Sequence, residues 1–331
     1  MTNGFTDNRR AHCCQRPWPI VRMLTTLFPA LVLTGCFNAT LAQNRSNAMA
    51  LVPKGAVAVV RLDWNVVGQD DRFRRMLNAE QLDRGLAQLK IKGNEVSEIV
   101  VFSGINASPS GTLAGIFSGT FSPQALTAQL KSQNLVETVY RGKIIHFNRT
   151  DQSYTSILRS GKLVVGTEKG VQGVMDVEMN PRTGLLLRPP FNTLLATFKA
   201  NRHPISFMMG IPKEYQGVAD IATKVVSAMF SIAGLGPLGF VLEKIGFPHT
   251  LGFSITRNES TFPVLLLAQM KDSTSAALIS GTLNVMQGLN LGMLSDGMSS
   301  TDREMLKNIS VTRNGAMLSI KMILREQDLP H

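Results

Sequence analysis

Residues 52–63 read VPKGAVAVVRLD, and within them Ala56 to Leu62 is an apolar run rich in valine, interrupted only by Arg61. Such a run, set between Pro53-Lys54-Gly55 and an acidic residue, predicts a strand. A second run, PISFMMGI from Pro204 to Ile211, has the same character. Between and after these two strands the chain alternates short β-rich runs with helical spacing. That pattern predicts an α+β fold.

Downstream of the first strand, Phe73, Met76, Leu77, Leu82, Leu86 and Leu89 recur at helical spacing within the polar segment Asp63 to Lys92. One or two surface helices ending at Gly93 follow from this. Glu98 to Ser103 and Thr112 to Thr120 read as strands around a turn at Asn106 to Gly111. Ser122-Pro123 is an N-cap with proline at the first helical position, opening a helix to about Ser132. Two hairpins follow: Thr138 to Tyr140 with Lys143 to Phe147, then Tyr154 to Arg159 with Lys162 to Thr167. A helix over Gly170 to Met179 closes this half, and Pro181 and Pro189-Pro190 punctuate the join.

The order then repeats. After Pro204 to Ile211 comes a helical region, Gly217 to Ile245. Strands at Leu251 to Thr256 and Phe262 to Met270 precede a helix capped by Asp272-Ser273. A hairpin of Ile309 to Thr312 with Met317 to Leu324 ends the series. Leu89-Lys90-Ile91 stands against Glu243-Lys244-Ile245, and Gln124-Ala125-Leu126 against Ala276-Ala277-Leu278. The expectation is two similar tandem subdomains, each a mainly antiparallel sheet with helices on one face. Their spans are 52–180 and 181–331. They either share one sheet or enclose a cleft.

Upstream, Arg9, Arg10, Arg16 and Arg22 precede a short apolar run from Met23 to Leu33 that ends in Leu33-Thr34-Gly35-Cys36. A basic flank and an apolar core too short for a permanent span mark an export signal, residues 1–35. The last four residues resemble the bacterial lipoprotein box. That resemblance implies diacylglycerol on the Cys36 thiol, cleavage before it and a membrane anchor, with residues 36–51 as a flexible tether. Phe37 after the cysteine, where the enteric pattern places Asp for inner-membrane retention, implies the outer membrane. The competing expectation is cleavage after Ala42, giving a secreted or periplasmic chain. The lipobox, the tether and the Val52 to Asp63 strand together resemble bacterial envelope lipoproteins with duplicated α+β halves. That resemblance implies no particular activity.

Composition narrows the function classes. The formal net charge is +11; residues 1–35 carry four arginines and one aspartate, so the body keeps +8. Cys13, Cys14 and Cys36 are the three cysteines, leaving the body after Cys36 without thiolate chemistry or disulfides. Export and dispersed basic residues without interleaved aromatics argue against nucleic acid. Anionic headgroups are the better match, with Arg61, Arg72, Arg74 and Arg75 as candidate contacts. No cofactor and no metal site is expected: His146, His203, His249 and His331 have no ligand spacing to one another.

Val225 to Leu242 carries no charge over 18 residues, and Gly234, Gly236, Pro237 and Gly239 break its second half. It reads as a buried helix and turn, or as an apolar surface for a lipid, a ligand or an envelope partner. Gly234-Leu-Gly236-Pro-Leu-Gly239 follows a helix, so it lacks the setting of a dinucleotide loop. An apolar ligand would draw on Met208, Met209, Met229 and Phe230, since flexible methionines line adaptable surfaces. Acids are too scattered for paired-carboxylate chemistry. The functional expectation is a non-enzymatic, lipid-anchored envelope protein that binds or scaffolds. The alternatives are a carrier of an apolar ligand and a hydrolase assembled from distant residues such as Ser118 and His146.

Overall fold

A computed structural model describes residues 47–77, 79–104, 111–133, 135–185, 189–200, 203–210, 248–258, 261–288 and 308–325. The signal with Cys36, and the whole stretch from Val225 to Leu242 with Met229 and Phe230, lie outside the described residues. So does the predicted helix Gly217 to Ile245.

The twelve strands are β1 (Ala56–Asp63), β2 (Val96–Gly104), β3 (Thr112–Gly119), β4 (Val136–Tyr140), β5 (Lys143–Asn148) and β6 (Ser153–Ile157), then β7 (Leu163–Gly166), β8 (Ile205–Gly210), β9 (Thr250–Ile255), β10 (Thr261–Gln269), β11 (Ser310–Asn314) and β12 (Met317–Arg325). They form one sheet in the order β11-β12-β10-β9-β8-β1-β2-β3-β7-β6-β5-β4. Neighbours pair antiparallel throughout, including β1 with β8 at the centre, where Val59 faces Met208. The protein is therefore α+β with a large antiparallel sheet, and that sheet is continuous through the predicted boundary near residue 180.

The helices are α1 (Trp64–Val67), α2 (Asp71–Met76), α3 (Ala79–Gln88), α4 (Pro123–Ser132), α5 (Glu168–Met179), α6 (Pro189–Ala200) and α7 (Ser273–Gly288). They cover both faces of the sheet, not one. On the first face, Trp64, Phe73, Leu82, Leu126 and Ile279 from α1, α2, α3, α4 and α7 join Val60, Leu62 and Val101 in one apolar cluster. On the second, Val171 and Met175 of α5 and Phe191, Leu194 and Phe198 of α6 join Val59, Val100 and Ile116. The reason is legible in β1. Ala56, Ala58, Val59, Val60 and Leu62 are all 2% exposed or less, so alternate side chains are buried on both sides. A strand with two buried faces reads as a continuous apolar run and not as an alternation.

Two further departures have physical causes. Ordered structure begins before Val52: Ala48–Leu51 forms a 3-10 turn whose cap Asn47 accepts the Met49 N–H. Ala48 and Met49 are fully buried, and the Ala48 N–H donates to Glu98 Oε2 at 3.0 Å. Within the predicted tether, residues 47–51 are held in place by buried Ala48 and Met49 and by the bond to Glu98. Helix α6 was unpredicted because its prolines read as a break. Proline in the first turn is instead pre-organised for helix, and Phe191, Leu194, Leu195 and Phe198 form its buried stripe. Glycines make room for it: a Cβ on Gly252 would lie 2.7 Å from Phe198 Cζ.

Among the described residues no helix is long and apolar enough to cross a membrane.

Candidate functional site

Of the predicted basic cluster, the two arginines with described side chains lie apart. Arg61 lies on the second face, where its Nε donates to Glu98 Oε1 at 2.7 Å and Nη1 to the His203 carbonyl at 3.4 Å. Arg74 belongs to α2, across the sheet, with Nη2 at 2.5 Å from Asp83 Oδ2. Arg72 and Arg75 sit on α2, and their side chains are outside the description. Arg61 and Arg74 are thus committed to carboxylates in two separate places. Arg74 and Asp83 line one side of a cleft of about 640 Å³ between Trp64 and Lys92.

The two described members of the predicted apolar quartet also separate. Met208 is fully buried in the second-face core, while Met209, the next residue along β8, packs against the first-face core. Adjacent strand residues point to opposite sides, so these two cannot line one site. Ser118 and His146 likewise fail to meet. Ser118 shares the second face with Ala114 and Ile116, whereas register sets His146 beside Thr155 and Val165 on the first face. Strands β7 and β6 lie between theirs, three strand spacings or about 14 Å.

The second face holds a different constellation, which sequence reasoning missed. A cleft of about 620 Å³ lies between the C-terminal part of α6 and strands β10, β12 and β11. Register sets out its floor in rows. Leu265 pairs with Lys321, and Lys321 with Ser310; Leu267 pairs with Ser319, and Ser319 with Thr312. Pro263 pairs with Ile323, which is 49% exposed. Leu265 and Leu267 make an apolar floor, and the hydroxyls with Lys321 make a polar flank.

The inner wall is His203, which precedes β8. Its ring stands edge-on to Phe198 at 6.0 Å. Only 7% of the residue is exposed, and neither Nδ1 nor Nε2 has a hydrogen-bond partner. Burial pushes its pKa down from the ordinary 6.5 to about 4, so the imidazole is neutral at pH 7. Behind it, the paired residues Ser206 and Ser254 are 1% and 0% exposed, and both hydroxyls are unpartnered. Three unpaired polar side chains on one face, on neighbouring strands, are uncommon in a native core. The only advance signal was His203 beside Pro204, which marks a strand entry but not a cleft.

Among the described residues no group of histidines, cysteines and acids could hold a metal ion.

No family model matches the chain, and no curated protein matches it. Its solved structural neighbours include crystal forms of TP0453. Form IV gives a TM-score of 0.49 at 13% identity, covering 86% of this chain and 95% of that one. Form III gives 0.46 at 12%, covering 86% and 97%. Form I gives 0.42 at 12%, covering 87% and 96%. Likeness at this level says nothing of what the chain does.

Proposed function

We propose that the chain is an exported, lipid-anchored envelope protein that acts by binding, with the second-face cleft as its binding surface. The observation that carries this reading is the cleft itself. An apolar floor, a polar flank and a buried unpartnered imidazole converge in a volume typical of small-molecule sites. The anchor is read from Leu33-Thr34-Gly35-Cys36, with the membrane as the first partner through the Cys36 lipid. The +8 body adds attraction to anionic headgroups. Within this reading, a carrier of an apolar ligand is favoured over a pure scaffold, because a scaffold has no use for the cleft. The hydrolase alternative loses its proposed Ser118–His146 pair to the strand order.

The same reading takes the fold as two tandem α+β halves joined edge to edge. It is supported by the strand order, in which β1 and β8 lie together and each half runs outward from them.

Mass spectrometry of full-length protein purified from membranes tests the proposal. The expected N-terminus is Cys36 carrying diacylglycerol, with an amphiphile recovered from the native extract. A chain beginning at Met1, unmodified and cytosolic, would overturn it. A chain beginning at Gln43 would leave a periplasmic binder without its anchor.

A further inference from the structure

The two wings of the sheet end differently on the second face. In the first wing, α5 lies over β3, β7 and β6, and the residues beneath it are apolar: Ala114, Ile116 and Val164 are all 0% exposed. The matching positions in the second wing are β10, β12 and β11. Helix α6 packs on β8 and β9 and reaches this region only at its C-terminal part. Where β7 presents an apolar row, β12 presents Ser319, Lys321 and Ile323. The Lys321 side chain is exposed, and among the described residues no acid pairs with it. Among the described residues, the cleft lining includes no acid.

Taken across the strands, the chemistry changes in order. The cation and hydroxyls stand on β12 and β11, leucines on β10, and then the unpartnered hydroxyl of Ser254 and the ring of His203. From β12 to the His203 end of β8 is three strand spacings, about 14 Å. An unpaired polar group in so dry a setting is costly, and a ligand atom that pairs with it recovers that cost.

We propose that this cleft holds a single-chain amphiphile with an anionic head at Lys321, Ser310 and Ser319, an apolar body across Leu265, Leu267 and Ile323, and a hydrogen-bonding far end against His203. This rests on the binding reading above and names its ligand class. The head is a carboxylate or a phosphate, since either suits an ammonium flanked by hydroxyl donors.

Equilibrium dialysis on full-length protein in phosphatidylcholine nanodiscs, against empty nanodiscs, tests it. The probes are dodecanoate, dodecyl phosphate, dodecanol and ω-hydroxydodecanoate. The two anions should be retained above dodecanol, and the better of them identifies the head. The ω-hydroxy acid should bind about fivefold tighter than dodecanoate, the worth of one net hydrogen bond. Lys321→Ala should weaken both anions about tenfold and leave dodecanol unchanged. His203→Phe should erase the ω-hydroxy preference and spare dodecanoate binding; the wild-type preference tests the same point if that variant does not fold.

Equal loss of dodecanol binding in Lys321→Ala would overturn the assignment of the head. Retention of no probe would overturn the ligand class. Protection of Lys321 from acetylation in probe-free protein would assign the cleft to another part of the chain or to a second copy, and would overturn it too. An acylated Cys36 in the same samples keeps the anchor standing when the ligand fails; its absence removes the anchor alone.

Discussion

The wing from β1 to β7 and the wing from β8 to β12 solve the same burial problem with different thoroughness. Both carry a capped helix on the first face after their third strand: α4 behind Ser122 and α7 behind Asp272. On the second face the first wing is closed by α5 and fastened at its rim. Tyr140 Oη donates to Asp176, Arg141 pairs with the same carboxylate at 3.0 Å, and Lys143 pairs with Glu178. Among the described residues, the second wing has α6 over its inner strands and a cleft over its outer ones. One sheet can therefore be core at one end and the floor of a cleft at the other. What decides is whether the outward row of side chains is apolar or amphipathic.

The largest expected effect separates these two surfaces by truncation. Ile116 is fully buried under α5, and Ile323 is half exposed at the cleft. Ile116→Ala should cost about 2–5 kcal/mol in denaturant unfolding, as buried large-to-small changes do. Ile323→Ala should stay within about 0.5 kcal/mol, as surface changes do. Equal costs would mean that the second wing is as closed as the first.

The second effect comes from His203, the buried group at the cleft's inner wall. Its folded pKa of about 4 lies below the ordinary 6.5, because burial disfavours the imidazolium. Between those values the unfolded chain binds a proton that the folded chain refuses. Stability therefore falls as pH drops from 6.5 toward 4, by up to about 3 kcal/mol. Urea titrations across that range should show the loss, and His203→Phe should flatten it. An unchanged slope in the variant would place the proton elsewhere.

Most of the strands were legible because they are apolar or β-branched and bounded by turns, but their order across the sheet was not, since the sequence left one shared sheet and two facing halves both open. Gly142, Gly161 and Gly315 sit at positive φ between the paired strands, a backbone conformation glycine adopts without strain. The two-sided burial was legible in principle too, since Ala56 to Leu62 never alternates. Helix α6 was hidden by Pro189-Pro190. The site was hidden for a different reason. Lys321, Leu265 and His203 are far apart in sequence and meet only through strand register, and a one-residue slip would turn each side chain to the other face. Grouping by sequence proximity failed on the same ground: it paired Met208 with Met209 and Arg61 with Arg74, each across the sheet.

A smaller effect tests the fastening of the closed wing. Burial raises the Glu178 pKa, but the hydrogen bond and charge of Lys143, with the Ser160 and Arg159 N–H donors, outweigh it. The net value lies below the ordinary 4.5. A lowered carboxylate contributes stability above its unfolded pKa and loses it as pH falls through the folded one. Amide exchange at Arg159 and Ser160 should quicken below pH 4.5, and Glu178→Gln should remove the acid dependence at an overall cost of about 1–3 kcal/mol. If exchange there ignores pH, α5 is held by its apolar stripe alone.

The smallest effect lies where the wings are most alike, at the helix caps of the first face. Ser122 Oγ accepts the Ala125 N–H at 3.3 Å, and Asp272 Oδ1 accepts the Ser275 N–H at 2.7 Å. Ser122→Ala should cost about 1 kcal/mol, the usual worth of an N-cap. A hydroxyl does not titrate in the acid range, so that cost should be the same at every acidic pH. The Asp272 carboxylate is different, because the Ser275 N–H holds its pKa below the ordinary 3.8. Its contribution should persist above 3.8 and disappear as pH falls through the lowered value. Amide exchange in the first turn of α7 should therefore rise in acid, while the first turn of α4 stays constant. Asp272→Ser should transfer the α4 behaviour to α7. If both turns loosened together in acid, the cause would lie in the sheet they share and not in the caps.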